Sequence, residues 1–212
     1  MLLHRLRSEG VMFSWWDELL SSIEAGIKAG IESGLQSIAD TLAPLLQVPE
    51  PAAPFQRVAL FRPGIDHPIS GAGLKTEGAA WRIESHWPQT VPLFEMPEAH
   101  LWLEVPSAQA GDQLLLCRAL VKTAALTEGA QLFLSRAQTF GWTFSRTVSL
   151  EGDRDWHICE VPFHLKPDPQ TPGFIKIGVE FMGRGVIWLR DIELLHAPAK
   201  LTPITDVMDR LL

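Results

Sequence analysis

The chain is 212 residues long and carries 18 Lys and Arg against 25 Asp and Glu, a formal charge of −7. Gripping a phosphate backbone needs concentrated cations, so nucleic acid is excluded as the main partner. Hydrophobic residues make up 46% and charged residues 20%, enough to bury a core, and no apolar run reaches the roughly 18 residues of a membrane span.

The first residues, MLLHRLRSEGVM, are basic but are followed by no apolar h-region. No cleaved signal peptide is expected, and the expected compartment is the cytoplasm. From Ser14 to Gln47 apolar residues recur at helical spacing, among them Ile23, Ile27, Ile31 and Leu35. Ser14 suits an N-cap, Asp17 and Glu18 suit the first turn, and Pro44 lies near the end. At 1.5 Å per residue, about 30 residues make a rod of roughly 45 Å.

Gly26, Gly30 and Gly34 repeat every fourth residue of this rod. Each interior glycine costs up to ~1 kcal/mol relative to Ala, and close approach of another backbone is the natural compensation. Glu24, Lys28, Glu32 and Asp40 beside them exclude a bilayer interior and disfavour anionic lipid, so contact with a protein is preferred over a peripheral membrane contact. The expected partner surface is Trp15 and Trp16 as anchors, then Ile23, Gly26, Ile27, Gly30, Ile31, Gly34 and Leu35.

Residues 1–47 are thus read as a helical segment and 48–54 (VPEPAAP) as a stiff proline-rich linker. From 55 to 198 the period shortens to two. Strands are expected at 56–61, 81–86, 101–105, 113–123, 130–138, 144–149, 157–163, 174–181 and 186–195, with Gly and Pro between them. The pair flanking Met182-Gly183-Arg184-Gly185 reads as a hairpin. Many short strands without intervening helices predict a mainly β fold, an antiparallel sandwich. In 199–212, Thr202-Pro203 followed by Ile204, Val207, Met208, Leu211 and Leu212 predicts a short amphipathic helix.

Within residues 101–195, Gln131-Leu-Phe-Leu, Trp156-His-Ile-Cys-Glu-Val-Pro-Phe163 and the closing segment Phe174 to Leu195, which contains Trp188-Leu-Arg-Asp191-Ile-Glu-Leu, are similar to the jelly-roll family of carbohydrate-binding and galactose-binding-like modules. The resemblance implies a jelly roll. It also implies a structural calcium for which Asp191 would be a ligand, although no acidic partner segment is evident; no other cofactor is expected.

Chemistry-bearing patterns are few. There is no nucleophile elbow and no Gly-rich phosphate loop, and the seven histidines are scattered singly. Glu180 and Glu193 are the only carboxylates singled out as a pair on neighbouring strands. Cys117 and Cys159 lie in β runs and read as small core residues. Trp81, Trp102, Trp156 and Trp188 sit in or beside strands and most are expected in the core, whereas Trp87 and Trp142 are loop-like and suit a ligand platform. The chain therefore reads as a non-catalytic scaffold: a carbohydrate-binding-like sandwich tethered by its helix to a protein partner or to itself. The alternative is a glycan-binding module using Trp87 and Trp142.

Overall fold

The computed structural model describes residues 47–68, 74–86, 98–106, 112–138, 141–166 and 173–203. These fall into two units, 47–52 with 199–203, and 53–198. Ten strands and no helix occur among the described residues, and every strand pair is antiparallel. Residues 14–46 of the expected helix and 204–212 of the C-terminal one lie outside them, and Gln47, the last residue of the first, is strand.

The larger unit is built on β6 (Gln113–Gln138), a 26-residue strand. Along one edge of it run β7 (Gly141–Arg146) and then β8 (Leu150–Leu165). Along the other edge run β9 (Phe174–Phe181), opposite 130–136, and then β10 (Arg184–Pro203), opposite 113–124. The two segments expected to fold back on each other around Met182-Gly183-Arg184-Gly185 therefore do not form a hairpin. They continue in one direction along β6, with Phe181 opposite Ala130 and Val186 opposite Ala124.

The reason lies in β6 itself, which bends at the level of this turn. Ala125 and Gly129 have φ of 53° and 86°, and the register with β8 slips between Thr123 and Leu126 and again before Ala130. Asp153 Oδ1 accepts from Ala125 N at 2.6 Å, Thr127 Oγ1 accepts from Arg184 N at 3.1 Å, and Met182 N donates to Gly129 O at 3.0 Å. The turn sits so close to the bend that a Cβ on Gly183 would lie 2.6 Å from Thr127 Oγ1, and one on Gly185 2.9 Å from Ala125 O. Glycine is needed at both positions for approach rather than for reversal.

Outboard strands widen the sheet. β3 (Leu74–Glu77) and β4 (Ala80–His86) form a tight hairpin around Gly78, whose φ is 60°. β4 pairs with 184–189 of β10, and β2 (Gln56–Phe61) pairs with 192–196 of the same strand. β5 (Glu98–Pro106) pairs with β9. The sheet is curled. Leu115, Cys117, Ala119 and Val121 from the first half of β6 and Leu132 and Leu134 from its second half enter one core cluster, with Trp81, Ile83, Leu103, Ile177 and Leu189. Burying each large aliphatic chain contributes about 1.5–3 kcal/mol, which holds the bend closed.

In the smaller unit, β1 (Gln47–Pro51) pairs with 199–203 of β10. This corrects two expectations: part of the proline-rich linker is strand, and so is the start of the segment read as a C-terminal helix. Pro49 and Pro51 alternate, so their missing N–H groups fall on one edge, and the ladder can be made from the other.

Candidate ligand-binding face

Strand alternation decides which side chains face water. On β10, Ile187 and Leu189 are buried in the core, which turns Val186, Trp188 and Arg190 to the opposite face. On β4, Arg82 stands between core residues Trp81 and Ile83; on β6, Lys122 follows core residue Val121. The register then sets Trp188 directly opposite Arg82 on one side and Lys122 on the other. Trp156 precedes His157, the partner of Val121, which brings it to the level of Lys122 on β8.

The result is a row across four strands in which cation and indole alternate: Arg82, Trp188, Lys122, Trp156. Arg82 Cζ lies 5.8 Å and Lys122 Nζ 5.6 Å from the Trp188 ring centroid. Arg190 reaches over β6 to stack on Trp156, its Cζ 4.4 Å from that ring. Distances of this kind support cation–π attraction, worth about 0.5–1 kcal/mol each at exposed sites. Trp156 and Trp188 are thus not core residues as their strand positions suggested, whereas Trp81 is, at 1% exposed.

The two ends of the row differ electrostatically. Arg82 is engaged by Glu84 at 2.7 Å and Glu77 at 3.5 Å. The hydrogen bond from Arg82 holds the Glu84 carboxyl below its usual range, and the same bond raises the guanidinium. Glu77 Oε2 also accepts from Trp188 Nε1 at 3.3 Å. At the other end, Lys122 has no carboxylate partner among the described residues. Arg190 Nε is buried with no hydrogen-bond acceptor, the nearest carboxylate being Asp191 Oδ2 at 3.8 Å. An exposed Ile158, 62% accessible, flanks this end on β8.

The residues singled out from sequence are placed as follows. Trp15, Trp16, Ile23, Gly26, Ile27, Gly30, Ile31, Gly34, Leu35 and Trp87 lie outside the described residues. Trp142 falls within β7 opposite Ala137 rather than in a loop. Asp191 sits on β10 with φ 51°, at a bulge where the register with β6 shifts between Arg190 and Glu193. That is also where β10 exchanges β4 for β2 at its edge. Asp tolerates the left-handed region better than most residues, which gives Asp191 a backbone role. No group of three His, Cys, Asp or Glu is placed to hold a metal among the described residues.

Glu180 and Glu193 are not brought together. They lie opposite Gln131 and Arg118, far apart along β6, and bind Arg146 at 2.9 Å and Arg57 at 3.0 Å. Cys117 and Cys159 are buried and free, and burial raises both thiols, Cys159 to about 11. The signal that could have found the row was available in Ile187-Trp188-Leu189-Arg190: with Ile and Leu claiming the core, Trp188 had to face outward. No family model matches the chain, and no curated protein matches it.

Proposed function

We propose that the protein is a non-catalytic interaction module whose ligand-binding face is the solvent side of β4, β10, β6 and β8. The observation that carries this reading is the row Arg82, Trp188, Lys122, Trp156. Leaving two indoles partly exposed on a sheet face forgoes some of their burial, and large aromatic groups held there by cations are what interaction surfaces use. A jelly-roll sandwich is supported by the shared core of the two halves of β6 and by Arg136, which donates to Lys166 O at 3.0 Å and so ties the far half of β6 to the end of β8. Segment 1–47, on the strength of its apolar stripe and glycine repeat, ties the module to a protein partner or to a second copy.

A glycan is the ligand this face suits best, because flat indoles rimmed by hydrogen-bonding Glu77, Arg82 and Lys122 match a sugar ring's apolar face and hydroxyl edge. Titration with a panel of soluble polysaccharides, read by tryptophan fluorescence, tests this. Binding must fall in Trp188→Ala and Trp156→Ala; binding indifferent to both removes the face. For the tether, Ile27→Asp with Ile31→Asp in the full chain must lower the solution mass or release a partner, and an unchanged mass with no partner lost removes that part.

A further inference from the structure

We infer that the ligand of this face is an acidic polysaccharide, a chain of uronic-acid or sulfated sugars, whose anionic groups are met by Lys122 and Arg190 between the two indoles. The inference rests on the binding-face reading above and adds the ligand's charge.

Covering the face treats its cations unequally. Arg82 already has two carboxylates and Trp188 Nε1 already has Glu77. A ligand lying over them displaces water without orphaning a charge. Lys122 and Arg190 are different. Lys122 is held near the Trp188 ring but has no carboxylate among the described residues, and Arg190, whose guanidinium lies on Trp156, has only the Asp191 carboxylate at 3.8 Å and no hydrogen-bond acceptor at its buried Nε.

Neutral sugars stacked on these indoles would strip water from the ammonium and offer only hydroxyls, and a covered charge without a counter-charge is costly. A carboxylate or sulfate on the sugar supplies charge-assisted hydrogen bonds at the very place where the stacking rings bring it. The chain as a whole carries a charge of −7, so long-range attraction does not draw a polyanion here; recognition must be local. An acidic peptide is less well served. The cations alternate with the aromatics across the strands, and a peptide helix needs a continuous apolar groove.

The test uses the full chain and two polymers that share a backbone, carboxymethylcellulose and hydroxyethylcellulose, with polyglutamate as a third probe. Tryptophan fluorescence and gel-retardation affinity are read over a range of salt. Carboxymethylcellulose binds, with affinity falling as salt rises, and hydroxyethylcellulose binds at least about tenfold more weakly. Lys122→Gln, a surface change, lowers affinity for the acidic polymer about tenfold and removes about half of the salt dependence. Arg190→Gln does the same, and thermal melting of each variant reports whether it is folded.

Equal binding of the two celluloses, or an unchanged Lys122→Gln, overturns the acidic-sugar inference and leaves the face standing. Acidic-polymer binding that survives both Trp188→Ala and Trp156→Ala overturns the face itself. Polyglutamate binding as tightly as carboxymethylcellulose overturns the glycan in favour of an acidic peptide, and binding of no polymer overturns both readings.

Discussion

Arg136 and Lys166 join two distant stretches of the sheet: the Arg136 guanidinium donates to the Lys166 carbonyl at 3.0 Å, linking the far half of β6 to the end of β8. Arg136 is only 4% exposed. A charged side chain so buried is held by its hydrogen bonds, and deleting it removes the bond that fastens the end of β8. Arg136→Leu should cost about 2–3 kcal/mol, more than a neutral hydrogen bond is worth, and lower the melting temperature by roughly 4–12 °C. Calorimetry checks it. A loss under about 0.5 kcal/mol would mean that this bond does not brace the curl.

The glycines at the bend make a graded prediction. At Gly185 an added Cβ would sit 2.9 Å from both Ala125 O and Leu126 Cα, and φ is 145°. At Gly78 φ is 60° but nothing lies within 4 Å. Gly78→Ala should therefore cost only the left-handed penalty, about 1–2 kcal/mol. Gly185→Ala adds collision with backbone and should cost about 3 kcal/mol or more. Denaturant midpoints of the two variants give the comparison, and equal losses would contradict the close approach.

These positions also show where sequence reasoning stops. Alternation located strands well: 56–61 and 174–181 are β2 and β9 to the residue. It also separates core from outer face within a strand, as at Ile187 and Leu189. It says nothing about which edge a strand joins. Met182-Gly183-Arg184-Gly185 has the chemistry of a reversal, yet the strands around it run on, because a bend 55 to 60 residues earlier in the chain sits where the turn would need space.

The break expected between 123 and 130 is likewise a bend inside one strand, since Ala125 and Gly129 turn the backbone without ending its pairing. Proline composition misled at 48–54, where alternate spacing lets a strand pair by its other edge. The site was missed for a related reason. A strand position alone suggests the core for tryptophan, whereas parity with Ile187 and Leu189 puts Trp188 outside. The cations that frame it come from β4 and β6, over 60 residues away.

The His164 imidazole gives a pH dependence. Burial holds its pKa below the ordinary 6.5; Asp112 at 3.8 Å opposes this and Lys166 adds to it. The unfolded chain then takes up the proton more readily than the native one. The stability due to neutral His164 is complete above about pH 6.5 and is lost as pH falls below it toward the native value. Urea midpoints from about pH 7.5 down to about pH 5.5 should decline, and His164→Asn should flatten that decline. An identical slope in the variant would place the proton elsewhere.

Cys117 and Cys159 should be inert in the native protein. Both are buried, and burial raises both thiols, Cys159 to about 11, so little thiolate forms near neutrality. A thiol reagent should modify neither until denaturant unfolds the chain, and then both. Labelling of Cys117 under native conditions would mean that the centre of β6 opens locally.

Asp191 separates a backbone role from a metal-binding one. Its φ of 51° lies in the left-handed region, at the bulge where β10 passes from β4 to β2. Asn adopts that conformation as readily as Asp, so Asp191→Asn should keep stability within about 0.5 kcal/mol. A β-branched residue is strained there, and Asp191→Val should cost about 2 kcal/mol. A calcium ligand would behave otherwise. Replacing a carboxylate with an amide would weaken the metal, and a chelator would lower the melting temperature of the parent but not of the variant. Melting of parent, Asn and Val forms with and without chelator decides between them. The bend at this bulge predicts an ordering set by φ tolerance alone, with chelator shifting none of the three.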